Sequence, residues 1–263
     1  METILDKIIA VKKEEIKVLK NSLQTFTSVS APRRSLIKKL EQANDISIIA
    51  EFKRASPSKG NINSDVDPKV QAKLYTEAGA DAVSVLTDET FFKGSLQDLE
   101  AIRSSIVQPI LCKEFIIDTI QIDAAKQAGA DIVLLIAAAL NDDKLHELYQ
   151  YAREKDLEVL MEVHDEREAE RVLKTDNRLI GVNNRNLKTF EVNIGVTEKI
   201  APLIKREGRF LISESGMKTV EDVERVAKVG AYGILVGETF MKNSSPKDAI
   251  SQMKLPLVEV THR

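Results

Sequence analysis

Glu51 and Lys53 are two residues apart in an apolar stretch, IIAEFKRASPSKG, that ends in a loop rich in serine, proline and glycine. Side chains two residues apart on a strand project to the same face, so this carboxylate and this ammonium should lie side by side. Burying such a pair costs desolvation energy that an apolar pair would avoid, which favours a catalytic or binding role. The alternative is a surface strand whose ion pair contributes about 1 kcal/mol or less. These two residues alone leave both interpretations open.

Polar residues also stand at the ends of the later apolar stretches. They are Lys113 in ILCKEF, Glu162 in LMEVHD, Asn183 and Arg185 in GVNNRN, and Glu214 and Ser215 in ISESG. Neighbouring opposite charges hold one another ionised, while burial lowers the pKa of a lysine and raises that of a carboxyl group. A lysine under both influences can act as a general acid near neutral pH, and a glutamate as a base. The amide and the guanidinium can bind hydroxyl or carboxylate groups.

Two glycines indicate a phosphate site. Gly216 follows Ser215, and Gly237 precedes Glu238, so backbone N–H groups are left free after two of the apolar stretches. Barrel enzymes commonly hold a phosphate at this place, often at the N-terminus of a short additional helix. Either glycine alone is also an ordinary turn residue, so it is their shared location that favours a phosphate site.

The elements that must position these residues alternate along the chain. Eight short apolar stretches read as strands, and they are Ile46–Phe52, Ala82–Leu86, Pro109–Cys112, Ile132–Ala137, Glu158–Val163, Leu179–Asn183, Arg209–Ser213 and Tyr232–Val236. Amphipathic segments with helical spacing separate them, among them Pro68–Ala78, Thr119–Ala128 and Asp142–Glu154. This alternation predicts parallel β/α units, because strands buried on both faces are nearly continuous runs of valine, isoleucine and leucine.

The number of units predicts an α/β fold, a (β/α)8 TIM barrel. We expect one domain over residues 1–263, with an N-terminal helical extension over residues 1–45 and the barrel over residues 46–253. Gly79, Gly129 and Gly230 each stand where a helix should end and a strand begin, in the left-handed conformation that glycine adopts easily. An open doubly wound sheet is the competing architecture, but the first strand lacks the glycine-rich dinucleotide turn of that fold.

Composition excludes several classes of protein. The chain has 263 residues, close to the roughly 250 of a typical barrel, and its 38 basic and 41 acidic residues give no field for nucleic acid or membranes. Its one cysteine, Cys112, excludes a disulfide framework, and the isolated His146, His164 and His262 lack metal-ligand spacing. We expect His164 to be a residue at a helix start. Without a signal peptide or a run of about 18 apolar residues, a soluble cytoplasmic protein is expected.

Long motifs of this sequence, taken in order, resemble the indole-3-glycerol phosphate synthase family. They are IAEFKRASPSKG, LTDETFFKGSLQDL, KEFIID, GADIVLLIAAAL, EVLMEVHDE, RLIGVNNRNLKTFEV, LISESGM and ILVGETFM. The likeness runs from about Ile46 to Met241, and the two N-terminal helices also fit. It implies a carbon–carbon lyase of tryptophan biosynthesis that uses no cofactor or metal. The implied reaction closes 1-(2-carboxyphenylamino)-1-deoxy-D-ribulose 5-phosphate to indole-3-glycerol phosphate, with loss of CO2 and water.

The resemblance also implies a role for each candidate residue. Lys113 would be the general acid at the ribulose carbonyl, and Glu162 a base in the later dehydration and rearomatisation. Lys53 would pair with the substrate carboxylate or assist the loss of hydroxide. Hydroxyls and lysines would be positioned by Glu51, Asn183, Glu214 and Ser215. The implied binding residues are Ser56 and Arg185 for the anthranilate carboxylate, Phe92, Phe115 and Leu187 for the ring, and the N–H groups of Gly216, Gly237 and Glu238 for the phosphate.

Small departures from the family pattern and two rival functions remain at this stage. Glu114 stands where the family commonly has aspartate, and Thr119–Ile120 where Pro-Tyr is frequent. One rival is another phosphosugar barrel enzyme, an isomerase or a Schiff-base aldolase that uses Lys53 or Lys113. The other is a barrel that only binds phosphometabolites, although no proton-transfer group is missing. We expect a monomer acting on a small phosphorylated substrate, with association with other tryptophan-pathway enzymes left open.

Overall fold

The computed structural model describes residues 3–22, 34–63, 65–243 and 245–258. Within them, eight parallel strands close into a barrel, and β1 pairs with both the next and the last barrel strand. The barrel strands are β1 Ser47–Phe52, β4 Ala82–Leu86, β5 Ile110–Lys113, β6 Ile132–Ile136, β7 Glu158–Val163, β8 Leu179–Asn183, β9 Phe210–Glu214 and β10 Gly233–Val236. The predicted TIM barrel is confirmed, and the closure of β1 onto β10 excludes the open sheet.

Helices cover the outside of the barrel and its two ends. They are α1 Ile4–Ser22, α2 Leu36–Glu41, α3 Pro68–Glu77, α4 Glu89–Phe92, α5 Leu96–Arg103, α6 Thr119–Ala128, α7 Asp142–Glu154, α8 Glu166–Val172, α9 Gly195–Arg206, α10 Val220–Lys228, α11 Glu238–Lys242 and α12 Pro246–Met253. The loop after β1 contains a small antiparallel pair, β2 Ala55–Ser56 with β3 Gly60–Asn61. No helix in the described part of the chain is long and apolar enough to cross a membrane.

Local sequence signals set the ends of these helices. The Asp67 carboxylate caps α3, where Pro68 occupies the first turn, and Asp118 begins α6 with a capping box. The predicted left-handed glycines are confirmed, because Gly79, Gly129 and Gly230 have φ values of 101°, 97° and 95°. Each helix therefore stops where the chain must turn back into the next strand.

The barrel has one closed end and one open end. Leu36 and Leu40 of α2 pack into the apolar cluster inside the barrel. The carboxylate of Glu158, the first residue of β7, accepts the backbone N–H groups of Leu36 at 2.9 Å and Ile37 at 3.2 Å. A carboxylate at a helix N-terminus satisfies free N–H groups and opposes the helix dipole. The helix α2 thus closes the N-terminal end of the barrel, and a functional site belongs at the opposite end.

Candidate active site

A cavity of about 360 Å³ opens at the C-terminal end of the barrel strands. Every site residue predicted from the sequence lines it, namely Glu51, Lys53, Ser56, Phe92, Lys113, Phe115, Glu162, Asn183, Arg185, Leu187, Glu214, Ser215, Gly216, Gly237 and Glu238. The strand ends bring these residues together from distant parts of the sequence because all eight strands run in one direction. The roles of the individual residues stay predictions.

The Lys113 ammonium is held between two carboxylates. Its Nζ donates to Glu162 Oε2 and to Glu214 Oε2, both at 2.6 Å. The three side chains come from β5, β7 and β9, alternate strands whose inward positions form one layer of the barrel. Burial, the largest influence, lowers the pKa of Lys113, but the Glu162 and Glu214 carboxylates outweigh it and leave the pKa raised. Lys113 is therefore an ammonium at neutral pH, rather than a lysine brought close to neutrality by burial.

The two carboxylates that share this ammonium differ in protonation. Burial raises the pKa of Glu162, but Lys113, His164 and Asn183 outweigh it and hold that pKa below its ordinary value. Burial raises the pKa of Glu214 to about 7, and the charge of Glu162 adds to the rise. The Glu214 Oε1 atom has no hydrogen-bond partner among the described residues. Glu162 is thus an ionised carboxylate, while Glu214 exchanges a proton near neutral pH.

Glu51 and Lys53 form a second acid–base pair on another wall. Lys53 Nζ lies 2.6 Å from Glu51 Oε1, and the Glu51 side chain is 5% exposed against 17% for Lys53. The pair therefore lines the cavity and does not lie on an exposed surface strand. A Cβ atom at Gly237 would lie 2.4 Å from Glu51 Oε1, so a larger residue there would displace this carboxylate from its present position. Gly237 therefore also shapes the acid–base pair.

A hydrogen-bond chain orients Asn183. Its Nδ2 donates to Glu162 Oε1 at 3.0 Å, and its Oδ1 accepts from Ser215 Oγ at 2.9 Å and from the Arg185 backbone N–H at 3.0 Å. Ser215 has φ 65°, a left-handed conformation that is uncommon outside glycine and recurs at functional sites. The Asn183 amide is therefore fixed as a donor to Glu162, while the Ser215 hydroxyl holds its carbonyl oxygen.

One end of the cavity is suited to an anion. Helix α11 begins at Glu238 directly after Gly237, and no side chain caps its first turn. Gly216, Gly237 and Glu238 all line the cavity, so the uncapped start of α11 lies beside it. The Glu238 carboxylate pairs with Lys242 at 2.8 Å and approaches Lys59 Nζ at 3.9 Å. Two lysines thus stand beside this helix start.

The other end of the cavity is apolar. The rings of Phe92 and Phe115 have centroids 5.9 Å apart, a separation typical of interacting aromatic pairs. Ile4, Leu5 and Ile8 of α1 line the same space. The sequence analysis missed these three residues, because apolar spacing identifies a helix but does not show which surface the helix covers.

The sequence analysis also missed Lys12, which joins α1 to the residues that follow β4 and β5. Lys12 is 2% exposed, and its Nζ contacts Asp88 at 2.7 Å and Glu114 at 3.0 Å. Asp88 caps α4 by accepting the N–H groups of Phe91 and Phe92, and Glu114 follows Lys113. Lys12 shares its helix face with Ile8 and Ile16, and a cation inside an apolar stripe is the signal that could have revealed it.

Gly181 is another residue that sequence analysis did not single out. A Cβ atom there would lie 2.0 Å from Glu214 Oε1, so the glycine gives this carboxylate its place. His164 follows β7 and precedes α8, which confirms its expected place at a helix start. Among the described residues, no group of three or more His, Cys, Asp or Glu side chains is arranged to hold a metal ion.

These features define a class of protein. A closed (β/α)8 barrel whose cavity holds two lysines paired with three glutamates, beside an aromatic pair and an uncapped helix start, is a barrel enzyme for acid–base chemistry on a phosphorylated substrate. A family model described as indole-3-glycerol phosphate synthase matches residues 5–253. The chain belongs to the indole-3-glycerol phosphate synthase family and is a carboxy-lyase of tryptophan biosynthesis.

Individual relatives agree with the family assignment. Proteins named indole-3-glycerol phosphate synthase from Bacillus cereus (strain AH820), Bacillus anthracis (strain CDC 684 / NRRL 3495) and Bacillus thuringiensis subsp. konkukian (strain 97-27) are each 54% identical to this chain over 247 residues. The similarity covers 93% of this chain and 95% of each relative. The match therefore includes the helical extension as well as the barrel.

Proposed function

We propose that this chain closes 1-(2-carboxyphenylamino)-1-deoxy-D-ribulose 5-phosphate to indole-3-glycerol phosphate, CO2 and water, with Lys113 as the acid of ring closure. The observation that carries this assignment is the ammonium of Lys113 between two carboxylates of different protonation. Such a group can give up a proton to a reacting oxygen while its carboxylate neighbours stabilise or replace the charge.

The substrate is held at both ends of the cavity. The phosphate binds the N–H groups of Gly216, Gly237 and Glu238, where the start of α11 favours negative charge. The aromatic ring packs against the Phe92–Phe115 pair at the apolar end of the cavity. Both anchors are supported by the cavity that joins them in one space of about 360 Å³. Arg185 and Ser56 face the carboxylate of the substrate, and Leu187 packs beside its ring.

Ring closure is the first chemical step. The ring carbon that carries the carboxylate attacks the ribulose carbonyl, and the carbonyl oxygen takes a proton from Lys113. A raised lysine pKa suits this step, because the oxygen becomes strongly basic as the carbon–carbon bond forms. The carboxylates of Glu162 and Glu214 stabilise the ammonium before the transfer.

Decarboxylation and dehydration follow. The bond to the carboxylate breaks, CO2 leaves, and the electron pair returns to the ring, which regains its aromaticity; exclusion of water favours this loss. The hydroxyl on the former carbonyl carbon then leaves as water with a proton from Lys53. Glu162 removes a proton from the neighbouring carbon, and the double bond of the indole forms. Glu51, Asn183, Glu214 and Ser215 hold the hydroxyls and the lysines in place.

We infer the same organisation for the chain as a whole. One domain spans residues 1–263, with residues 1–45 as an extension and residues 46–253 as the barrel. The protein acts as a cytoplasmic monomer without nucleic-acid or membrane partners, in agreement with its balanced charge.

The proposal is tested by adding the carboxyphenylamino ribulose phosphate to purified protein and following indole fluorescence. We expect continuous release of indole-3-glycerol phosphate; no product at high enzyme concentration would contradict the proposal. Borohydride added with a carbonyl substrate tests the aldolase alternative, because it traps a Schiff base on Lys53 or Lys113. We expect no lysine to be labelled, whereas a labelled lysine would favour the aldolase.

A further inference from the structure

His164 lies between two carboxylates at the end of β7. Its Nε2 is 3.2 Å from Glu162 Oε1, and its Nδ1 is 3.1 Å from Glu168 Oε2. The side chain is 14% exposed, and it does not line the cavity itself. His164 therefore contacts the side of Glu162 that faces away from Lys113 and has no direct access to a substrate.

The whole set of charges around His164 favours the imidazolium. Glu162 comes from β7, which His164 follows, and Glu168 from helix α8, while β8 contributes the neutral amide of Asn183. The Lys113 ammonium lies on the other oxygen of Glu162, Oε2. Two carboxylates thus face the imidazole ring directly.

A purely structural role would explain only half of this geometry. Glu168 accepts the backbone N–H of His164 at 2.8 Å, and Asp165 caps α8, so the helix start is satisfied without the imidazole ring. The contact of Nε2 with Glu162 contributes nothing to that cap. The Nε2 atom also makes no well-directed hydrogen bond among the described residues, so the contact is an ion pair.

We propose that His164 is a positioning residue that fixes the Glu162 carboxylate and keeps it ionised while Lys113 gives up its proton. The inference rests on the proposed role of Glu162 as a base. Three groups then share the Glu162 carboxylate, with Lys113 on Oε2 and both Asn183 and His164 on Oε1. After Lys113 has lost its proton, His164 is the remaining cation beside Glu162.

The protonation of His164 supports this role. Burial lowers its pKa, but Glu162 and Glu168 outweigh burial and raise the pKa to about 10. The imidazole of an unfolded histidine has a pKa of about 6.5, so the folded His164 keeps its charge through the neutral range and loses it only in basic solution. The ion pair with Glu162 therefore persists at the pH at which the enzyme would work.

The charge on His164 is measured by 15N NMR of the ring nitrogens from pH 6 to pH 9. The sequence has three histidines, and the His164 signals are assigned by their loss in His164→Gln. We expect both ring nitrogens of His164 to stay protonated up to pH 9. In Glu168→Gln, which removes one of the two carboxylates, His164 should lose its proton at lower pH. A neutral His164 at pH 8 in the unaltered protein would overturn the proposal.

Kinetics test the effect on Glu162. We expect kcat of His164→Gln to fall by about 10- to 100-fold, the size of effect that follows from a misplaced group, with KM nearly unchanged. The acid limb of its pH profile should move to higher pH, because Glu162 is then protonated more easily. His146→Gln is the matched control, since His146 is exposed on α7, and its profile should stay that of the parent. Thermal unfolding of each variant verifies folding.

The outcomes separate this inference from the proposed function. If Glu162→Gln is inactive while His164→Gln keeps the parent kcat and pH profile, the positioning role is refuted and the role of Glu162 stands. If Glu162→Gln retains the parent turnover, the base assignment fails, and the positioning role fails with it. A shifted acid limb in His164→Gln together with an inactive Glu162→Gln supports both.

Discussion

Replacing Lys12 by methionine should destabilise the protein far more than the same replacement of a surface lysine. Lys12 is 2% exposed, and its Nζ pairs with Asp88, Glu114 and Glu15. Methionine fills much of the same volume but leaves the Asp88 and Glu114 carboxylates buried without their cation. Breaking a buried pair by removal of one partner costs about 3 to 5 kcal/mol. At about 2 to 4 °C per kcal/mol for a chain of this size, the midpoint of thermal unfolding should fall by roughly 6 to 20 °C.

The size of the loss should depend on pH. Burial raises the pKa of Glu114, and Lys12 partly offsets that rise. Without Lys12 the folded pKa of Glu114 rises further. Above the pKa of the unfolded chain, ionised Glu114 then destabilises the folded state, and this cost disappears as pH falls below the unfolded pKa. The difference in free energy of unfolding between the parent and Lys12→Met should therefore be larger at pH 8 than at pH 5.

Denaturant unfolding at the two pH values measures both effects, with Lys17→Met as the matched control. Lys17 lies on the same helix and pairs with Glu14, but these side chains are 69% and 71% exposed. Exposed pairs contribute about 0 to 1 kcal/mol, so the control should remain close to the parent. Equal losses for the two variants, or a loss in Lys12→Met that grows toward pH 5, would refute the reasoning.

Three further predictions concern the site. Gly181→Ala should lower kcat strongly while the fold is kept, because its Cβ would lie 2.0 Å from Glu214 Oε1. Steady-state kinetics together with circular dichroism tests this, and an unchanged kcat would contradict it. Glu214→Gln should flatten the pH dependence of stability. A folded pKa of about 7 for Glu214 makes the parent lose stability as pH rises from 5 to 8, and denaturant unfolding should find a smaller loss in the variant. Phe92→Ala should raise KM by about 10-fold or more, since a ring loses its stacking partner, and an unchanged KM would exclude Phe92 from the ring site.

The fold could be predicted because each of its elements carries a strong local pattern. The predicted strand Glu158–Val163 and the helices Thr119–Ala128 and Asp142–Glu154 have the same bounds in the structure. Strands buried on both faces leave an unbroken apolar run, and capping residues such as Asp118 mark helix starts. Parallel order then places all carboxyl ends together, so polar residues after strands could be assigned to one cavity.

Residues that act across long distances in the sequence could not be found in this way. Lys12 meets Asp88 and Glu114 only because α1 lies across the open end of the barrel, and no local pattern sets that docking. The ionised state of Lys113 likewise depends on carboxylates 49 and 101 residues away. Burial alone predicts a lowered lysine pKa, and only the assembled contacts show that the carboxylates reverse it.

The most direct test of the account compares turnover and binding in Lys113→Ala. We expect kcat to fall by about 100-fold or more, because the ring closure loses its acid, while calorimetry still detects substrate binding at the phosphate and ring contacts. Lys126→Ala, at an exposed lysine on α6, serves as the control and should keep the parent kcat. A folded Lys113→Ala protein that forms indole-3-glycerol phosphate at the parent rate would contradict the central role of Lys113.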